Sequence, residues 1–417
     1  MFIQKIILQS IINNNYQYIC PNTNNNIILQ KNTILLFLLA LVSLNTKANY
    51  DIYLSKNDTI VEDSLSKFDR INKKAEKLFK ILPFPMVSYS TETGTLFGLA
   101  KYNLIKLVKG DTISTVSSFN ELVSISTEGQ FKIVFGSNLY LLQNKLVLQG
   151  GVEYVEFPQY ILGVGNDVKR EDVERINTKR IAFNNKILYA INDSKTLYAG
   201  VIQEYKNYLK VESLMEKLNR QSFLDSTKYP GYDGGVSSGI GIAVRFDTRD
   251  HKYTPTKGIY LASSIINFGN YINSKFNYTS FQLDIRKYFN PWYNHVIAFQ
   301  FYTMQNTGTV PFYSLGKLGG TNRMRGYYLG AIRDKTLADF QIEYRMPVWS
   351  IFGITAFAGA GRVAEKYSEM SFSDLWYSAG FGLRIMVDSE NKANLRIDFG
   401  YGEEKARAVV IGFTEAF

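Results

Sequence analysis

A transmembrane antiparallel β-barrel is the fold this sequence predicts, and three observations predict it. Side chains alternate with period two through most of the chain after residue 83. The polar member of each alternating pair is often a full charge. The long connections between the alternating segments all fall at one end of the strands.

The alternation is plainest in four stretches. In 338–349, Phe340, Ile342, Tyr344 and Met346 alternate with Asp339, Gln341, Glu343 and Arg345. In 395–401, Leu395, Ile397, Phe399 and Tyr401 alternate with Arg396, Asp398 and Gly400. Phe281, Leu283 and Ile285 alternate with Gln282, Asp284 and Arg286, and Ile242, Val244 and Phe246 with Arg245, Asp247 and Arg249. Successive side chains of a strand point to opposite faces, so such a pattern requires two different solvents. A soluble sandwich alternates too, with its apolar face inward. Several full charges per strand favour the inverse arrangement, a polar interior and a lipid-facing exterior. The 29 Tyr and 28 Phe suit strands and membrane-interface girdles. Beyond the N-terminus no apolar run is long enough for a helix to cross a bilayer.

About sixteen strands are expected between 84 and 417, an even number as bacterial single-chain barrels require. The long connections, 158–177, 211–235, 307–335 and 364–375, all follow odd-numbered strands. Connections after even-numbered strands are short, such as 192–194, 290–293 and 388–392. With the N-terminus in the periplasm, the long loops face outward.

Upstream, Lys31 precedes the apolar run 34–44, and Ala48 follows it. This is the pattern of a signal peptide cut near Ala48, so 1–48 is expected to be removed. Residues 1–30 are rich in Asn and Ile, unlike a leader, and point to a start site placed too early. Cys20, the one cysteine, lies in that part, so the mature chain is expected to have no thiol, disulfide or cysteine metal site. Without 1–48, which carries Lys5, Lys31 and Lys47 and no acid, the net charge falls from +10 to +7, a modest value compatible with nucleic acid, with acidic lipid headgroups or with no partner. A secreted chain makes nucleic acid an unsuitable partner. In the segment 49–82, Phe68, Ile71, Ala75, Leu78 and Phe79 recur at helical spacing. An amphipathic helix over 63–81 is expected there, a linker at the barrel mouth or a plug or partner contact. Pro83 and Pro85 end it. The barrel domain is expected to occupy 83–417.

Little in the chain suggests covalent chemistry. The two histidines, His251 and His295, have no partner spacing for zinc, and no metal or cofactor is expected. Gly235-Val236-Ser237-Ser238-Gly239 matches the nucleophile-elbow pattern. That motif needs a strand–turn–helix setting, whereas these glycines lead into an alternating strand.

Gly319-Gly320-Thr321-Asn322-Arg323-Met324-Arg325-Gly326-Tyr327 lies in the longest loop. A glycine-rich loop with two arginines can stay solvated or fold inward, where Arg325 needs an acidic partner. The surrounding pieces come in a telling order. Asp247, Arg249 and Asp250 precede Pro255-Thr256-Lys257-Gly258; Glu343-Tyr344-Arg345 follows the loop; then come Phe357-Ala358-Gly359-Ala360-Gly361, Gly382-Leu383-Arg384 and Arg396-Ile397-Asp398. Together with Pro85-Met86-Val87 and Glu92-Thr93-Gly94, this order resembles the BamA/TamA superfamily of surface-antigen-type barrels, over 83–417.

The resemblance implies a sixteen-stranded barrel whose sixth outer loop tucks into the lumen. Arg325, in Arg325-Gly326-Tyr327, matches the family's loop arginine, and Glu343 matches an acid that receives it. Gly319, Gly320, Asp247, Arg249, Asp250, Gly258 and Gly361 match supporting motif positions. The family's second acid falls where this chain has Gly359, so Asp339 or Asp398 is expected to substitute. Val409, Ile411 and Phe413 lead to Phe417, similar to the C-terminal signal of barrel precursors, although Glu415 interrupts the alternation. Segment 49–82 is too short for a POTRA domain, which implies a short form. A weak seam is expected between 84–90 and 409–417. The implied role is insertion or assembly of outer-membrane proteins, or membrane remodelling, without enzymatic activity. The partners would be outer-membrane lipids, nascent outer-membrane proteins and separate periplasmic factors. A pore or secretion channel and a barrel hydrolase are the alternatives.

Overall fold

The computed structural model describes residues 83–417 except 91–92, 106, 109–112, 170–172, 214–221, 223–228, 350 and 389–392. The expected leader 1–48 and the helix 63–81 lie outside the described residues.

Strands run in chain order. They are β1 (Phe84–Ser90), β2 (Gly94–Ile105), β3 (Ser117–Ser126), β4 (Phe131–Leu141), β5 (Leu146–Ile161), β6 (Glu174–Ala190), β7 (Leu197–Ser213), β8 (Gly235–Asp247) and β9 (Gly258–Phe268). Then come β10 (Tyr278–Phe289), β11 (Val296–Gly308), β12 (Gly316–Lys317), β13 (Arg333–Asp334), β14 (Thr336–Trp349), β15 (Phe352–Ala364), β16 (Trp376–Asp388), β17 (Ala393–Gly402) and β18 (Arg407–Phe413). All but β12 and β13 form one 16-stranded antiparallel sheet in sequence order, curled into a nearly closed barrel. The small hairpin β12–β13 belongs to the connection between β11 and β14.

The alternation sorts side chains as the barrel requires. Phe340 and Ile342 on β14, and Phe381 and Leu383 on β16, are exposed on the outer face. Asp339, Gln341, Glu343 and Arg345 on β14 are buried on the inner face. Exposed aromatics mark both rims: Tyr189, Trp292, Tyr293 and Trp349 at one end, Tyr271, Phe372 and Tyr377 at the other. Bands of this kind sit where a bilayer meets water.

The connections segregate. One end, the turn end, carries 142–145, 191–196, 248–257 and 290–295. The opposite loop end carries the described parts of the β5–β6, β7–β8, β11–β14 and β15–β16 connections, among them 162–169, 229–234, 309–335 and 365–375. The inner space near the loop end is filled by 309–335. Phe312, Tyr313 and Leu315 pack with Ile202, Tyr208, Ile266 and Phe276 from the wall. Leu318, Met324, Tyr327 and Ile332 pack with Leu337, Val363 and Trp376. A second loop crosses the mouth. The Leu162 amide donates to the Ala331 carbonyl at 3.0 Å. Asn166 reaches Asp374 and Val363 on the far side.

Each of the fifteen consecutive strand pairs is joined by a ladder, with a register shift in three of them, β6–β7, β14–β15 and β16–β17. The first and last strands lie side by side, yet among the described residues no ladder joins them. They are also the shortest strands of the barrel, at 7 residues each. The last strand is shorter than the sequence suggests. Thr414 adopts φ +65°, and 414–417 leave the sheet. The Glu415 amide then donates to the Tyr253 carbonyl of the β8–β9 turn. Phe417 is buried against Tyr288, Ala298 and Ala416 rather than ending a lipid-facing strand.

Candidate functional site: an arginine lock beside an open seam

The loop between β11 and β14 enters the lumen because the wall leaves room for its backbone. On the inner face of β17, Gly400 lies directly beneath the loop: a Cβ there would stand 2.5 Å from the Arg325 carbonyl oxygen and 2.7 Å from the Gly326 nitrogen. Gly326 itself takes φ +123°, which disfavours a side chain. Gly402 next along β17 seats the Tyr327 ring.

This seating carries Arg325 into a fully buried position. Its Nη1 donates to Asp398 Oδ2 at 2.7 Å and its Nη2 to Glu343 Oε2 at 2.5 Å. The guanidinium lies over the Phe357 ring, 3.5 Å from its centroid. Neither acid serves Arg325 alone. Glu343 Oε1 accepts from Arg345 Nε at 2.7 Å, and Asp398 Oδ1 from Arg384 Nη1 at 2.6 Å. Arg396 stands 3.4 Å from Asp398 and holds the loop at Asn322 Oδ1, 2.7 Å away. Glu415 completes the cluster, accepting from Arg384 Nε at 2.7 Å. Four arginines thus share three carboxylates away from water. Each charge needs its partners, since an unpaired buried ion costs several kcal/mol, or about 3–5 when one partner is removed.

The second expected acid is therefore Asp398. Asp339 instead pairs with Arg323, whose guanidinium lies 3.6 Å over the Tyr302 ring. The place opposite Gly359 is occupied by Met324, whose sulfur would stand 3.0 Å from a Cβ added there. Gly361 faces Asp339 and Leu318 with equally little room.

Tyr327 ties the loop to the last strands. Its hydroxyl donates to the Tyr377 carbonyl at 2.6 Å and accepts from the Glu403 amide at 2.7 Å. Its ring meets Trp376 edge-on. Burial pushes the phenol up to about 12. Gly319 and Gly320 form the entry to this turn at φ +96° and +119°.

Asp247, Arg249, Asp250 and Gly258 are placed elsewhere, in and beside the β8–β9 turn. Arg249 makes a two-pronged contact with Asp247, and Asp250 accepts from the Thr256 and Lys257 amides. Gly258, at φ +110°, lies against the Thr248 carbonyl. The turn reaches the cluster through Pro255, whose carbonyl accepts from Arg345 Nη1 at 3.1 Å, and through Tyr253, whose carbonyl accepts from the Glu415 amide at 3.3 Å. Sequence reasoning passed over Gly400, Glu415 and the pairing of Arg323. Inward parity on β17 could have marked Gly400. Ser237 of the elbow-like motif is buried within β8, with no helix after it. His251 accepts amides of its own turn, and His295 meets the Tyr344 hydroxyl at 2.5 Å.

An Omp85 superfamily domain matches residues 106–413. The chain belongs to the Omp85 superfamily. Its barrel is similar to BamA from Haemophilus ducreyi lacking POTRA domains 1–3, at 15% identity and a TM-score of 0.54, covering 79% of this chain and 69% of that one. It is similar also to CdiB from Acinetobacter baumannii, at 13% identity and a TM-score of 0.50, covering 79% of this chain and 58% of that one. CdiB from Escherichia coli matches at 8% identity and a TM-score of 0.50, covering 79% and 62%. At these identities the likeness is one of fold. No curated protein sequence matches the chain. Membership places this Omp85 protein among outer-membrane barrels related to BamA and CdiB.

Proposed function

We propose that this Omp85 barrel assists insertion or assembly of outer-membrane proteins through a lateral seam between β1 and β18. The observation that carries the reading is the unladdered contact between two short edge strands in an otherwise continuous sheet. An unpaired edge offers a row of amides and carbonyls to an incoming strand. Strand length adds to it. The longest strands of the wall, β6 and β7, have 17 residues, against 7 residues at the seam itself. A wall that is short on one side thins the bilayer there through mismatch.

The loop lock serves this role by closing the axial route. With 309–335 locked in the lumen and 162–168 crossing over it, the free path for a client strand is sideways. The long loops then face outward and the turn end faces the periplasm, from which clients are handed over by separate factors. The resemblance to the BamA/TamA superfamily supports assembly, and a pore or secretion channel is the second reading.

The test offers unfolded small barrels to liposomes containing the purified protein and follows their folding by gel mobility. In a Cys20→Ser background, cysteines pairing Val87 with Val409 or Ile411 lock the seam. Acceleration over empty liposomes that disappears on oxidation and returns on reduction is expected. Acceleration indifferent to the lock, or ion conductance with no acceleration, would sink the lateral-seam reading.

A further inference from the structure

The outer face carries polar groups where lipid should be. Four strands contribute to one cross-strand row: Ser137 on β4 is opposite Gly150 on β5, Gly150 is opposite Asn185 on β6, and Asn185 is opposite Gln203 on β7. These positions share the outward parity of Phe135, Val152, Ile187 and Val201, all exposed. Asn185 Nδ2 donates to Gln203 Oε1 at 3.0 Å. The row lies in a groove of about 440 Å³, lined also by Leu148 and Ile240. Its floor is Gly150, where an added Cβ would stand 2.9 Å from Asn185 Oδ1. On β14, β16 and β17 the outward positions include Phe340, Ile342, Phe381, Leu383, Ile397 and Phe399, all apolar.

Depth excludes an ordinary lipid contact. Asn185 lies about five residues above the end of β6, or ~12 Å at a strand rise of ~3.3 Å and a tilt of ~40°. The turns below it expose Leu142 and Ile191, so the apolar band reaches down to them. Phe183 and Tyr205 stack above it. The apolar band of such a barrel is only ~25 Å tall, which puts the carboxamides near mid-membrane. Neither water nor headgroups reach there, and an unsatisfied amide costs several kcal/mol.

We propose that this groove is the contact surface for a second copy of this chain, forming a two-fold dimer within the membrane. Donor and acceptor complementarity selects that occupant. Once Asn185 Nδ2 has bonded Gln203, the pair retains an acceptor, Asn185 Oδ1, beside a donor group, Gln203 Nε2. Among the described residues neither has a further partner. A two-fold axis parallel to the barrel axis sets each donor against the other copy's acceptor, an isologous contact. Gly150 and Ser137 are small enough to let two walls approach closely, as small residues do between packed membrane segments.

The experiment uses the full chain in outer membranes, with Cys20→Ser and a reporter Val201→Cys, which is outward beside the row and leaves both carboxamides intact. Oxidation is expected to give an adduct of twice the chain mass, about tenfold more abundant than from Phe301→Cys, an outward position on β11. Adding Asn185→Leu and Gln203→Leu is expected to lower the adduct about tenfold while the barrel keeps its heat-modifiable gel shift. The proposal is overturned by no adduct, by an adduct of another mass alone, by equal adducts from Val201→Cys and Phe301→Cys, or by an adduct unaffected by the two leucines in a folded barrel. An adduct of another mass would mark the groove as the seat of a different membrane protein.

Discussion

Asp398 Oδ2 stands 2.7 Å from Arg325 Nη1, with Gly359 at the place where the resemblance puts the second acid of the lock. The acid has in effect moved from β15 to β17, and the loop's own Met324 fills the space over Gly359. The pair is fully buried and joins the loop to the strand next to the seam.

Charge balance predicts an order of damage in this cluster. Replacing Glu343 with Gln leaves Arg325, Arg345, Arg384 and Arg396 facing only Asp398 and Glu415. Replacing Arg325 with Met leaves three arginines and three carboxylates, with an apolar side chain still over Phe357. Removing one partner of a buried pair costs about 3–5 kcal/mol, whereas a balanced apolar replacement costs less. Thermal unfolding of the purified barrel should rank wild type above Arg325→Met and Arg325→Met above Glu343→Gln. The reverse order would mean the charges are not balanced as the distances imply.

Gly400→Ala tests seating of the loop without touching a charge. The added methyl would meet the Arg325 carbonyl at 2.5 Å, backbone that cannot rotate away. Limited proteolysis within 319–330 should become fast while the heat-modifiable barrel persists. Gly151→Ala is the control, since its Cβ would approach nothing closer than 3.4 Å. Equal protection of both variants would show that the loop does not depend on this close approach.

The sequence made much of this arrangement legible. Alternation alone turned Glu343, Asp398 and Asp339 inward, and the family resemblance, not the loop's own residues, put Arg325 within their reach. It could not choose between the two aspartates, because inward parity is shared by both. The choice rests on which strand lies under the loop, a matter of barrel curvature and of the bare Gly400. Thr414 was illegible for another reason. A threonine favours extended backbone, and nothing nearby announces φ +65°. Glu415 therefore looked like a flaw in the last strand, whereas it is turned inward to Arg384.

Tyr327 predicts a loss of loop stability in alkali. Its phenol is pushed up to about 12 by burial, the bond from the Glu403 amide pulling the other way, against an ordinary value of about 10. The folded state therefore keeps its proton where the unfolded state has lost it. The contribution is full below pH ~10 and falls away as pH rises toward ~12. The difference in unfolding midpoint between wild type and Tyr327→Phe should shrink across that window and stay constant from pH 7 to 9. A difference flat through pH 12 would remove the phenol from the account.

The last prediction concerns coupling between the tail and the lock. Arg384 holds Glu415 at 2.7 Å with one nitrogen and Asp398 at 2.6 Å with another. Arg345 likewise holds Glu343 at 2.7 Å and the Phe417 carbonyl at 2.8 Å. Freed from Glu415, Arg384 turns its whole charge toward Asp398 and competes with Arg325 for it. Glu415→Gln should therefore speed cleavage within 319–330, although Glu415 touches no loop residue through its side chain. Because the two sites share arginines, Arg325→Ala and Glu415→Gln should be non-additive, with a coupling of about 0.5–3 kcal/mol in a double-mutant cycle on unfolding. Additive effects would mean that tail and loop are held separately. A measured coupling would mean that a shift of 414–417, next to the seam, is felt at the loop that closes the lumen.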